Sequence, residues 1–297
     1  MRGRGDRQTR DQTVGAILAL LAASALGLAI AVSRFAYDGG TDGITVATSR
    51  ACVMVISLPL FCLLSGRRLR LPWRDWWHCA GLGLLMVPMF YGNVGAVEFI
   101  PVGLTALLFF TYPPMIAALN MAVVRQPVGT AKLVAIAGAF AGLALMLGVS
   151  FETVDGRGVA LALGAAAATA WNAVWLARRL AGRDPVVLTM HMGLIAAAGL
   201  LLLAYSGDGL VWPTAAVGWA GLFGVVALQA SAVPIYFVAL ARIGALNSGM
   251  LSNVQPVVSI AAAFLFFGEI LTAVQLFGGL MVLGGIWLMQ WSDRRRG

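Results

Sequence analysis

Long apolar runs separated by short polar connections fill this chain from residue 13 to residue 291. The runs are continuous rather than alternating with period two, so they read as helices and not as barrel strands. A helix needs roughly 20 mostly apolar residues to cross a bilayer. Ten runs qualify: 13–34, 44–64, 76–98, 102–124, 131–149, 157–178, 186–206, 213–240, 244–267 and 271–291. The first follows a basic tail like a secretory leader, but it is long for one and the repeat described below requires it, so it counts as a span. The expected fold class is an all-α polytopic membrane protein with ten transmembrane helices.

Composition agrees. Hydrophobic residues make up 60% of the 297 and charged residues 11%, against about 25% charged in a soluble domain. An ordinary soluble enzyme, a disordered chain and a disulfide scaffold are excluded. Cys52, Cys62 and Cys79 lie in or beside apolar runs, and their odd number and spacing suit neither zinc nor a disulfide frame; they read as small packing residues. No metal site and no cofactor are expected.

The net charge of +8 changes meaning once the charges are placed. With the N-terminus inside, 17 of the 20 basic residues fall on inside segments, including Arg67, Arg68, Arg70, Arg74, Arg178, Arg179 and Arg183. Outside connections hold Asp38, Asp42, Glu98, Glu152, Asp155, Asp208 and Glu269, with Arg34 and Arg157 as the outside cations. This is the positive-inside pattern. It predicts both termini in the cytoplasm and an inner-membrane location, and it makes the charge a topology signal rather than a nucleic-acid footprint.

An internal repeat gives the spans an order. Gly15-Ala16-Ile17-Leu18-Ala19-Leu20 echoes Gly158-Val159-Ala160-Leu161-Ala162-Leu163 at an offset of 143. Gly142 and Gly285, and Met146 and Met289, share that offset; Pro114 and Pro256 differ by 142. The chain divides into halves 1–150 and 151–297 of five spans each. Five is odd, so the halves run in opposite directions across the membrane. Inverted repeats are typical of alternating-access carriers, with substrate held near the midplane between interrupted helices. Pro88, Pro114, Pro234 and Pro256 are the expected helix breaks, and they direct attention to the third, fourth, eighth and ninth spans.

Gln255-Pro256-Val257, Phe267-Gly268-Glu269, Thr272, Gln275, Gly278 and Gly284-Gly285 look like the EamA module of the drug/metabolite transporter superfamily. The stretch from Pro101 through Tyr112-Pro113-Pro114 to Gly142 resembles the same module, and Arg50 fits its pattern. The first half departs from it in having Gln126 where the second has Glu269. The resemblance covers nearly the whole chain. It implies ten helices, inverted repeats and small-metabolite transport, often efflux, and among the family's members the chain looks most similar to YddG-type amino-acid exporters.

Several polar and aromatic residues within spans are candidates for contact with a substrate. Ser248, Ser252, Gln255 and Ser259 share one helical face, and a polar stripe in a bilayer faces protein or water; Ser252 and Gln255 are assigned to a cavity, with helix gluing as the alternative. Thr105, Phe109 and Tyr112 share another face, and Gln229, Tyr236 and Asn172 are added from other spans. Trp171, Tyr91 and Tyr112 could form an aromatic box, against plain aromatic packing. His191 could meet substrate or titrate, or serve as a structural contact. Arg50, inside the second span, needs a partner: either Glu98, as an outer gate, or a substrate carboxylate. Gly138 and Gly142 make a small-residue face, expected to join the halves or two protomers, so that the chain is a monomer or a weak homodimer.

Missing chemistry narrows the function. No carboxylate lies near a span midplane, which favours facilitated export or exchange over ion coupling. There is no phosphate-binding G-x-x-x-x-G-K-[ST] loop, H-E-x-x-H or G-x-S-x-G motif, so neither ATP hydrolysis nor an intramembrane enzyme is expected. The partners expected are a small metabolite, most of all a neutral or aromatic amino acid, and the lipid bilayer, with no nucleic acid. Efflux of cationic or amphipathic drugs is the alternative.

Overall fold

The computed structural model of the chain describes residues 2–96, 99–123, 125, 128–148, 154–268 and 272–294. Among them are eleven helices and no strand: α1 (Arg2–Asp38), α2 (Gly43–Leu64), α3 (Trp73–Ala96), α4 (Val102–Phe109), α5 (Tyr112–Ala122), α6 (Thr130–Met146), α7 (Gly156–Arg179), α8 (Pro185–Tyr205), α9 (Ala216–Leu251), α10 (Val254–Phe267) and α11 (Ala273–Arg294). Seven stretches are long and apolar enough to cross a membrane, one of them running through α4 and α5; α6 and α10 are shorter apolar helices. Large apolar side chains point outward, Leu64 at 81% exposure and Leu202 at 75%, as expected where lipid is the solvent.

Two of the expected spans are broken within, both for local backbone reasons. The fourth span is two helices, α4 and α5, broken at Phe110–Thr111. The eighth and ninth spans separate where expected: α9 is two helices meeting at a kink at Gly244, whose φ of 78° and ψ of 168° are not helical, and the ninth span is broken again at Ser252–Asn253 before α10. Proline explains both breaks. Its ring clashes with the carbonyl four residues earlier and leaves it without a donor. Four residues before Pro114 stands Phe110, and four before Pro256 stands Ser252. Pro88 and Pro234 differ from expectation, since α3 and α9 continue through them.

Helix pairing follows a two-fold pattern. With α1–α6 in the first half and α7–α11 in the second, α1 packs on α9 and α10, as α7 packs on α3, α4 and α5; α2 meets α9, as α8 meets α3. The pairs α2–α8 and α6–α11 join corresponding helices. Close approaches repeat the relation. A Cβ on Gly15 would lie 2.6 Å from the Ile243 side chain, and one on Gly158 2.9 Å from that of Ile100. A Cβ on Gly142 would lie 2.6 Å from Gly278 O, and one on Gly285 2.7 Å from Ala135 O. Each contact maps onto the other at the offset of 143. Gly142 is thus consumed in the α6–α11 seam, while Gly138 meets open space.

Both ends of the α2–α8 seam are clasped. At one end the 39–45 segment meets residues 211–214: Thr41 Oγ1 donates to Val211 O (2.6 Å), Val211 N to Thr45 Oγ1 (2.8 Å) and Thr214 N to Gly39 O (2.9 Å). At the other end, Arg67 Nη1 lies 2.7 and 2.6 Å from the two Asp184 oxygens, and Arg183 Nε 2.7 Å from Asp75 Oδ2. Asp184 also caps α8 by accepting from Val186 N (2.9 Å).

Candidate functional site

The broken helices surround a cavity of about 170 Å³ between the two halves. Its sides differ. The wall built from α1, α2, α9 and α10 presents Arg50, Gln229, Tyr236 and Gln255, with Ser252 at the second break, set among Leu26, Ile30, Val233 and Phe237. The wall built from α3, α4, α5 and α7 presents Met86, Met89, Phe90, Phe109, Tyr112 and Thr169, with Phe110 at the first break. Phe109, Phe110 and Tyr112 form a cluster with ring centroids 5.4–5.9 Å apart, because the break turns consecutive side chains toward one space.

Among the described residues, Arg50 is the one charged residue in this lining. Its Nε is buried without a hydrogen-bond partner among the described residues. An unpaired guanidinium nitrogen in an apolar bundle is costly. The residue at the related position, offset 143, is Gly193, so the cation has no counterpart across the axis. Three lining hydroxyls are already engaged: Thr169 Oγ1 donates to Ala165 O (2.8 Å), Tyr112 OH to Gly249 O (3.4 Å) and Ser252 Oγ to Ser248 O (3.0 Å).

The expected site residues divide. Arg50, Phe109, Tyr112, Gln229, Tyr236, Ser252 and Gln255 meet at this cavity. Tyr91, Thr105, Trp171, Asn172 and His191 do not line it. Tyr91 packs in a cluster with Ala47, Ala51, Ala197 and Leu200, its ring against Gly95. Thr105 is buried with Oγ1 unpartnered. Asn172 Nδ2 donates to Leu82 O (3.0 Å), tying α7 to α3. His191 Nδ1 lies 2.9 Å from Val187 O of its own helix. Trp171 is 40% exposed and stacks on Trp175 at 5.6 Å. Two residues along a helix turn the side chain by about 200°, so Thr169 facing the cavity sends Trp171 away, and the three-residue aromatic box does not assemble. Glu98 of the expected gate, and Glu269 and Gln126 of the module comparison, lie outside the described residues. No group of His, Cys, Asp and Glu able to hold a metal occurs among the described residues.

Sequence reasoning missed Leu26, Ile30, Met86, Met89, Phe90, Phe110, Thr169, Val233 and Phe237. The signal for some of them was present in the repeat: Met86 is the counterpart of Gln229, Phe90 of Val233 and Leu26 of Thr169 at offset 143, and Phe110 of Ser252 at offset 142.

An apolar helical bundle in two halves around a cavity of mixed polar and apolar lining defines a multi-pass membrane protein built like a carrier. The sequence profile of the EamA-like transporter family matches residues 13–148 and 156–291, and the chain belongs to that transporter family rather than to an enzyme family. The threonine/homoserine exporter RhtA of Salmonella typhimurium is 30% identical over 201 residues, 65% of this chain and 64% of that protein. RhtA of Escherichia coli is 30% identical over 198 residues, 64% and 62% of the two chains. The chain therefore spans just under two thirds of the length of these relatives. In fold, it resembles a chain of known crystal structure at TM-score 0.77 and 21% identity, covering 97% of this chain and 98% of that one.

Proposed function

We propose that this chain exports small amino acids across the inner membrane by alternating access, without ATP hydrolysis, as a facilitator or exchanger. Ten spans in two inverted halves, 1–150 and 151–297, with both termini in the cytoplasm, form the frame. The two-fold helix pairing, the breaks at Phe110 and Ser252 and the distribution of basic residues support it.

The observation that carries the substrate class is Arg50, the one charged residue among the described residues of the lining. A guanidinium prefers a carboxylate, and among the described residues the lining offers no acidic group for a cationic drug. At about 170 Å³, the cavity is smaller than the roughly 300 Å³ at the lower end of drug-sized sites. The RhtA relatives, named for threonine and homoserine, favour small side chains. The finer reading, a YddG-type exporter of aromatic amino acids, draws on the six rings in the lining and requires the cavity to widen. The α6–α11 seam uses Gly142 within the chain, which favours a monomer over a dimer held by that face.

The test is competition. In liposomes, uptake of a labelled amino acid should be inhibited by its unlabelled form and not by the decarboxylated amine. Arg50→Ala should weaken that inhibition about 10- to 100-fold, the range of a hydrogen-bonded charge partner. Equal inhibition by the amine would remove Arg50 from the binding role.

A further inference from the structure

The two walls are related by the repeat, yet their chemistry is opposite. At four pairs of related positions both members line the cavity: Leu26 and Thr169, Met86 and Gln229, Phe90 and Val233, Phe110 and Ser252. In three of the four, the first-half residue is apolar and the second-half residue polar. Leu26 and Thr169 lie on helices packed against the opposite half. The remaining pairs and the unpaired residues then concentrate polarity on one side: Arg50, Gln229, Tyr236, Ser252 and Gln255 face Met86, Met89, Phe90, Phe109 and Phe110. Among the described residues, the hydroxyls on the aromatic side are those of Thr169 and Tyr112, and they already donate to backbone carbonyls, as Ser252 Oγ does on the other side.

We infer that this broken symmetry fixes the orientation of the cargo and thereby its side-chain class. The inference rests on the amino-acid reading above. The zwitterionic head lies on the wall of Arg50 and Gln229, and the side chain points to the thioethers and rings of Met86, Met89, Phe90, Phe109 and Phe110. A symmetric cavity would accept an amino acid in two orientations and discriminate its side chain weakly. This one offers the side chain no free hydrogen-bond donor among the described residues, so apolar side chains are favoured over hydroxylated ones of equal size, a preference that would set this chain apart from the threonine/homoserine exporters it resembles. Met86 and Gln229 occupy corresponding places on opposite walls, which makes them the specificity-determining pair: Gln229 for the shared head, Met86 for the side chain.

Valine and threonine separate the possibilities, because they have nearly the same shape and differ by one hydroxyl. In liposomes holding the full-length protein, uptake of labelled alanine is measured against unlabelled valine and threonine. Valine should compete about 10-fold better, the usual cost of seating a hydroxyl in an apolar site. In Met86→Gln the valine-to-threonine ratio should fall toward one. In Gln229→Met both competitors should weaken together with the ratio kept. Threonine competing as well as valine in the unaltered protein, or a ratio that moves with Gln229→Met and not with Met86→Gln, overturns the wall assignment. The ratio in the unaltered protein is decisive even if Met86→Gln misfolds. If the unaltered protein takes up no amino acid at all, the amino-acid reading itself fails, a result distinct from uptake with the wrong preference.

Discussion

The two ends of the α2–α8 seam occupy equivalent places in the repeat but are held by different forces. The 39–45/211–214 end is joined by neutral hydrogen bonds from Thr41, Val211 and Thr214. The 67–75/183–184 end is joined by Arg67–Asp184 and Arg183–Asp75. In the proposed topology the neutral clasp is outside and the ionic one cytoplasmic, so positive-inside charge placement has also chosen the chemistry of the inner clasp. Neutral hydrogen bonds at a wet interface depend little on salt, whereas ion pairs are screened. A pseudo-symmetric carrier can therefore have two doors that respond to different conditions.

The most severe way to break the comparison is to remove the motion. With Cys52, Cys62 and Cys79 replaced, Thr41→Cys/Val211→Cys bridged by a bifunctional thiol reagent should stop transport, and so should a bridge across Arg67→Cys/Asp184→Cys. Reductive release of a cleavable bridge should restore it. Transport continuing through either bridge would show that this end does not open. A smaller effect distinguishes two residues within the ionic clasp. Asp184→Ala removes both a helix cap and an ion pair, and should destabilise the protein by about 1–2 kcal/mol. Arg67→Ala removes the pair, whose side chains are 35% exposed, and an exposed contact with the Phe61 ring, but no helix cap, and should cost at most about 1 kcal/mol. The thermal unfolding midpoint followed by tryptophan fluorescence should fall further for Asp184→Ala.

Salt sharpens the contrast further. Between 0.01 M and 1 M the screening length falls from about 30 Å to about 3 Å. Thiol labelling of Ser252→Cys should therefore shift with salt in the otherwise unaltered protein and shift less when Arg67→Ala is added. A shift of the same size in both would clear the ionic clasp of the effect. The smallest expected effect lies at Asp155, the cap of α7. Its hydrogen bonds to Arg157 hold its carboxyl below the ordinary carboxylate range. A lowered carboxyl pKa contributes stability above the unfolded-state value, about 3.9, and loses it as pH falls through the lower folded value. Asp155→Asn should thus leave the unfolding midpoint at pH 7 slightly reduced and the difference from the unaltered protein smaller at pH 3. A difference that grows on acidification would contradict the sign.

Much of this was legible in the sequence because backbone chemistry leaves marks that tertiary packing cannot erase. Pro114 and Pro256 located the breaks through the carbonyls four residues earlier, and the constant offset gave the two-fold pairing. Gln229, Ser252 and Gln255 were legible because a polar side chain in a bilayer needs a wet or polar neighbour. Met86, Met89 and Phe90 were not, since an apolar residue facing a cavity and one facing lipid obey the same periodicity. Trp171 and Tyr91 were misplaced for a related reason: helical spacing says which residues share a face but not which neighbour that face meets. The expected boundary between the eighth and ninth spans falls where Gly244 leaves the helical region.

If Arg50 and the broken helices make a carrier for small amino acids, counterflow is the sharpest test. Purified protein is placed in liposomes loaded with an unlabelled amino acid, with the labelled form outside and no ATP or imposed ion gradient. Label should accumulate transiently, in proportion to the internal load, and the accumulation should be lost in Arg50→Ala. No accumulation of any amino acid, with exchange of a cationic dye in its place, would contradict this reading of the site.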